Sequence, residues 1–209
     1  MADLIVIRRG QASSGAQNYD VLFELGHRQA VALGQRLAAL EIVPTGFVNG
    51  DRRRQCDTMV GLQTGMGRTA VAPQVHLGLN KFDFDCLLKA RYRKTPPPGD
   101  LMSNLKSHFR SLGATVLAKQ RDEIDSSPES WAAFTARVEA ARQFLTKDRS
   151  GPILAVSLGG AISQIINATL GAAPAQQISR QLQMKNCAVT RFFIPCAPFF
   201  CKASIRLCI

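Results

Sequence analysis

Three short stretches of this chain combine residue types able to hold an anion: "RRGQ" at residues 8–11, "DRRR" at 51–54 and "SLGG" at 157–160. The arginines offer guanidinium donors, and each charge-assisted bond from one of them to a phosphate oxygen is worth about 1.5 to 3 kcal/mol. In the third stretch, Gly159 and Gly160 let backbone N–H groups approach an anion closely where a helix begins. Taken singly, such arginines more often mark a strand meeting water or a solvated helix face. Three such loops at equivalent places in one chain point instead to an anion site.

Two other motifs exclude themselves. "GMG" at 65–67 lacks a third glycine in register and precedes a strand, so it is no dinucleotide-binding fingerprint. "AVSLG" at 155–159 sets Ser157 where a nucleophile elbow would, but that triad needs a histidine after the serine. His27, His76 and His108 all precede it, which rules out a hydrolase of that kind.

The elements that must carry these loops follow from periodicity. The apolar run Leu4 to Ile7 reads as a strand, the stretch "GQASSGAQNYD" as a loop, and Leu25, Ala30, Leu33, Leu37 and Leu40 as one face of a helix. "TGFVNG" reads as a second strand, "DRRRQCDTMVGLQTGMG" as a helix capped by Asp51 and ended by glycines, and "APQVHLGL" as a third strand. This alternation predicts an α/β fold, with a mostly parallel central sheet flanked by helices on both faces. Residues from about 82 to 150 interrupt it as a helical insertion within a single domain spanning 1–209. There "KTPPPGD" is a loop, and two helical stretches flank "DEIDSSPES". The second starts at Ser127 or Pro128 and presents Trp131, Phe134, Val138 and Ala141 on one face.

The alternation then resumes with the strand "PILAV", the helices "AISQIINATLG" and "APAQQISRQLQMKN", and the terminal strands "CAVTRFFI" and "FFCKASIRLCI". In the last, Phe199, Cys201, Ala203, Ile205, Leu207 and Ile209 are predicted to share a buried face. Ligands of open α/β sheets gather at the carboxyl ends of strands, beside helix N-termini. Both "RRGQ" and "SLGG" fall at such ends.

Charge and composition narrow the partners. The chain holds 26 Lys plus Arg against 15 Asp plus Glu, a net charge of +11 that favours anionic partners. Its aromatic residues do not interleave with the basic ones, which disfavours a stacking platform for single-stranded nucleic acid. "CAVTRFFIPCAPFFC" is broken by Arg191, Pro195 and Pro198, so no segment reaches the roughly 18 apolar residues of a membrane span. "LIVI" is too short for the apolar core of a signal peptide, and a soluble cytoplasmic protein is the expectation. Cys187, Cys196, Cys201 and Cys208 are irregularly spaced, without a Cys-x-x-Cys pair or a nearby histidine. The expectation is therefore no metal, no cofactor, and reduced, mostly buried thiols.

The segment "LIVIRRGQASSGAQNYDVLFELGHRQAVALGQRLAAL" resembles the N-terminus of the histidine phosphatase superfamily, the phosphoglycerate mutase-like proteins. Those chains open with a strand running into "RHG" and a helix introduced by an "LTELG" type sequence. "GDRRRQCDTM" is similar to the family's "S-x-L-x-R-A-x-x-T-A", "LNKFDFD" to its "LNE", and "VSLGGAI" to its "VSHGGAI". The resemblance runs from about residue 3 to 194 and implies the family's fold. It also implies that Arg8 and Arg54 are phosphate clamps. The family's nucleophilic histidine falls on Arg9, its "LNE" proton donor on Lys81, and its second histidine on Leu158.

The chemistry of these replacements is unfavourable to catalysis. A phosphoryl nucleophile needs a lone pair, and a guanidinium with a pKa above about 12 offers none. Lys81 donates a proton poorly near neutral pH unless burial lowers its pKa, and Leu158 offers neither charge nor hydrogen bond. By analogy with nucleophile deletions, a rate loss on the order of 10⁶ is expected. The expectation is a catalytically impaired protein binding phosphate or a phosphorylated small molecule through Arg8, Gly10, Arg54, Ser157 and Gly159, with Arg9 adding charge. Two alternatives stay open. One is a working phosphomonoesterase in which Asp83 or Asp85 supplies the acid and Ser157 or a cysteine the nucleophile. The other is a polyanion-binding protein. His27 is expected on the solvated side of the first helix, Asn18 lies near but displaced from the family's pocket asparagine, and a homodimer is left open.

Overall fold

Strand β1 (Ala2–Arg8) is apolar on consecutive positions because both of its faces are covered. Leu4 and Val6 point into one core, Ile5 and Ile7 into another, and β4 (Ile153–Ser157) divides the same way, with Ile153 and Ala155 against Leu154 and Val156. The computed structural model describes residues 2–12, 20–93, 105–124, 128–194 and 204–208. Among them the strand order is β3-β2-β4-β1-β5-β6. β2 (Gly46–Asn49) pairs parallel with β3 (Gln74–Val75) and with β4, and β4 pairs parallel with β1. β5 (Val189–Ile194) and β6 (Ser204–Cys208) close the sheet antiparallel. This is the mostly parallel α/β sheet expected from the alternation.

One face is covered by α1 (Glu24–Ala39) and α2 (Arg53–Met66). They meet through small residues: a Cβ on Gly34 would lie 2.2 Å from the Leu62 carbonyl oxygen, and one on Gly65 would lie 2.1 Å from that of Val31. The stripe expected on α1 shifts accordingly. Ala30, Gly34 and Leu37 are buried, whereas Leu25 and Leu40 are exposed, since close backbone approach turns the small residues inward. His27 is exposed, as expected.

The other face is covered by α3 (Phe84–Arg91), α4 (Leu105–Gln120), α5 (Trp131–Thr146), α6 (Gly159–Leu170) and α7 (Pro174–Gln183). Phe134, Val138 and Ala141 of α5 are buried as predicted, beside a partly buried Trp131.

Several boundaries differ from expectation. Helix α3 is additional; its start is capped by the Asp83 carboxylate, which accepts from Cys86 N at 3.0 Å. Helix α5 begins at Trp131 instead of Ser127 or Pro128, because Ser130 supplies the cap by accepting from Ala133 N at 3.0 Å. Asp51 does not cap α2; the preceding residue there is Arg52, and Arg53 N donates to the distant Asp20 carboxylate at 3.1 Å. "APQVHLGL" yields only the two-residue β3 and then a single 3-10 turn, Leu77–Leu79, which caps itself through His76 Nδ1. Of the cysteines whose side chains are described, Cys56 and Cys187 are partly exposed and Cys86 is exposed at the start of α3, all three free, while Cys196, Cys201 and the Cys208 side chain lie outside the described residues. "KTPPPGD", Asn18, Ser127, Phe199, Cys201, Ala203 and Ile209 lie outside the described residues.

Candidate anion-binding site

Parallel pairing of β1 with β4 brings two of the three singled-out loops together at one end of the sheet. Arg8 is the register partner of Ser157, and Arg9 N donates to Ser157 O at 3.0 Å. Cys187, in the left-handed region with φ 57°, donates its N–H to the carbonyls of Arg8 and Arg9, at 3.0 and 3.3 Å. The Arg8 Nη1 donates to Met184 O at the end of α7. Arg9 is 8% exposed, and its Nη1 donates to Gly10 O at 2.6 Å.

The third loop is drawn in by a hydroxyl. Gly10 N donates to Thr58 Oγ1 at 3.0 Å, and that hydroxyl donates to Arg54 O at 2.6 Å, hooking the first turn of α2 to the loop after β1. Gly10 is required here, since a Cβ would stand 2.5 Å from Gly26 O, where α1 crosses the loop. Arg54 is buried, its Nε 3.3 Å from Asp20 Oδ1.

The N-terminus of α6 forms the remaining wall. Leu158 is its buried N-cap and, being apolar, leaves the first-turn N–H groups without a side-chain cap. A Cβ on Gly159 would lie 3.7 Å from Arg8 Nε, and one on Gly160 would lie 3.6 Å from Lys81 Cβ and 3.5 Å from Gln181 Oε1. Arg8, Lys81 and Gln181 therefore converge on the first turn of α6. The Gln181 amide oxygen is buried there without a hydrogen-bond partner. The Lys81 amine sits 5.9 Å from the centre of the Phe84 ring.

The segment that delivers Lys81 is held through its carbonyls. Leu79 O accepts from the Ser157 hydroxyl at 2.7 Å and from Gln55 Nε2 at 3.1 Å. Arg137 Nη1, oriented by the Glu129 carboxylate, donates to Leu77 O at 3.3 Å and to Asn80 O at 2.7 Å. The Ser157 side chain is thus spent on positioning, while its backbone meets Arg9.

Asp20, Gln55, Thr58, Arg137 and Gln181 escaped sequence reasoning. Gln55, adjacent to the arginine run, and Thr58, at the threonine of the family's "S-x-L-x-R-A-x-x-T-A" pattern, carried a local signal; the others reach the site from distant elements.

The profile of the histidine phosphatase superfamily (branch 1) matches residues 4–195. The chain belongs to this superfamily. Among solved structures, a phosphoglycerate mutase from Bacillus anthracis is 20% identical, with 91% of this chain and 87% of that chain covered and a TM-score of 0.63. A mutant phosphoserine phosphatase from Entamoeba histolytica, in complex with phosphoserine, is 16% identical over 99% of this chain and 96% of that one, with a TM-score of 0.66. A mycobacterial glucosyl-3-phosphoglycerate phosphatase, in complex with inorganic phosphate, is 23% identical over 99% and 95%, with a TM-score of 0.61. At these identities the likeness establishes the histidine phosphatase fold. No curated protein matches the chain by sequence.

Burial sets the protonation of the thiol of Cys187, whose N–H meets the carbonyls of Arg8 and Arg9. It pushes the Cys187 thiol up to about 11, with the Arg9 charge acting in the opposite direction. Asp83 is engaged as the cap of α3, and the Asp85 side chain lies outside the described residues. Among the described residues no group of three His, Cys, Asp or Glu side chains is placed to hold a metal ion, and no helix is long and apolar enough to cross a membrane.

Proposed function

We propose that this superfamily member binds phosphate or a phosphorylated small molecule at the α6 N-terminus and is catalytically impaired. The observation that carries this reading is Arg9. By the motif comparison it stands where the superfamily's enzymes place their nucleophile, and it presents a nearly buried guanidinium hydrogen-bonded to Gly10 O. Such a group has no lone pair to attack phosphorus, yet its permanent charge favours an anion. Arg8, Arg54 and the backbone of Gly10 and of Ser157 to Gly160 are assigned to the phosphate. Lys81 is assigned a further charge at its edge and Leu158 an apolar wall.

Substitute nucleophiles fare poorly. A thiol held neutral up to about 11 supplies little thiolate at pH 7, and the Ser157 hydroxyl is committed to Leu79 O with no histidine beside it. We further read the chain as one domain with residues from about 82 to 150 inserted. The free thiols among the described residues, Cys56, Cys86 and Cys187, fit a reducing, cytoplasmic setting.

The test is hydrolysis of an aryl phosphate by the unmodified chain and by Arg9→His plus Leu158→His, beside calorimetric titration with inorganic phosphate. Phosphate binding without turnover by the unmodified chain, and measurable turnover by the double variant, are expected. Turnover by the unmodified chain at rates typical of enzymes, about 1 s⁻¹ or more, overturns the impairment.

A further inference from the structure

Arg54 is among the least exposed charged groups of the site, its side chain 5% exposed, and a guanidinium so far out of water requires an anion. The chain provides one of its own. Asp20 Oδ1 lies 3.3 Å from Arg54 Nε, while Asp20 Oδ2 accepts from Arg53 N at 3.1 Å. One carboxylate thus spans a guanidinium and the first N–H of α2, the pair of donor types that holds a phosphate at a helix N-terminus. Arg52, at the N-cap of α2, makes no side-chain cap of its own, so Asp20 also serves as a cap delivered from elsewhere in the chain.

We infer that Asp20 is a built-in counter-anion that competes with ligand phosphate for Arg54 and so sets the affinity of the pocket. This role rests on the phosphate-binding reading given above. An incoming phosphate reaches Arg54 either by displacing the carboxylate or by lying beside it, and in both cases the Asp20 charge opposes binding. The same contact keeps the Arg54 side chain oriented in the empty pocket, since a buried guanidinium without a counter-charge would turn toward water.

The test is calorimetric titration of the full chain, Asp20→Asn and Asp57→Asn with inorganic phosphate at fixed salt. Asn at 20 keeps an oxygen to accept Arg53 N–H and removes the charge. Asp57 pairs with exposed Arg53 on the same helix, so its replacement matches the change in net charge without removing the partner of Arg54. Asp20→Asn is expected to bind phosphate about tenfold more tightly, and Asp57→Asn within about twofold of the unmodified chain, because the Asp57 carboxylate pairs with exposed Arg53 and not with a guanidinium assigned to the phosphate. Equal or weaker binding by Asp20→Asn than by the unmodified chain overturns the inference and leaves the pocket reading intact. Absence of binding by every form overturns the pocket reading itself. If Asp20→Asn does not fold, Asp20→Ser, which also retains a capping oxygen, takes its place with the same expected gain.

Discussion

Arg8, Arg9 and Arg54 share a residue type and differ in what surrounds them. Arg8 is tied to the end of α7 and lines the first turn of α6, Arg9 folds back on Gly10 O, and Arg54 faces Asp20. Cys187 is a titratable neighbour of this group. Its pKa of about 11 lies above the ordinary thiol value, so above pH ~9 the unfolded chain releases a proton that the folded chain keeps. The folded state then binds more protons, and stability falls as pH rises from about 9 towards 11. Urea unfolding across that range is expected to show a decline that Cys187→Ala lacks. Parallel slopes for the two proteins would show that the thiol is not held neutral.

Among the elements, the closest fit lies between α1 and α2, and it positions both the loop after β1 and Arg54. Ala30 and Gly34 face Gly61 and Gly65, and a Cβ at Gly65 would enter to 2.1 Å from Val31 O, too near for side-chain adjustment to relieve. Gly65→Val is expected to destabilise the fold by about 1 to 3 kcal/mol, the range for overpacked interiors, read as a lower denaturant midpoint. Val60→Ala, on the exposed side of the same helix, should stay within about 0.5 kcal/mol. These small residues are visible in the sequence as "GLQTGMG" and "AVALGQ". Periodicity alone had put Leu25 and Leu40 inside, since hydrophobic patterns weigh large side chains and not the backbone contact that glycine allows.

For the whole molecule, the excess of basic residues is the dominant property. A charge of +11 attracts polyanions through exposed side chains, and that attraction is screened by salt, whereas the guanidinium groups of the site are largely withdrawn from water. Anisotropy of a labelled DNA duplex is expected to show weak binding at about 50 mM salt that is lost by about 200 mM. Phosphate binding in the pocket should persist over the same range. Tight DNA binding at the higher salt that survives Arg8→Ala would favour the polyanion reading instead.

The alternation of apolar runs with helical stretches, the apolar strands buried on both faces and the loops "RRGQ", "DRRR" and "SLGG" were all legible in the sequence. Each depends on local pattern and on general rules of parallel sheets. The sequence likewise carried the motif resemblance on which Arg9, Lys81 and Leu158 are proposed to replace the family's catalytic residues. Tertiary structure alone decided which groups meet. Asp20 reaches Arg54, Thr58 bridges Gly10 to α2, Gln181 closes on the first turn of α6, and Ser157 turns from the pocket to Leu79. Such contacts arise because separate elements must satisfy one another's buried charges and carbonyls once packed. No local pattern encodes which distant residue will do so.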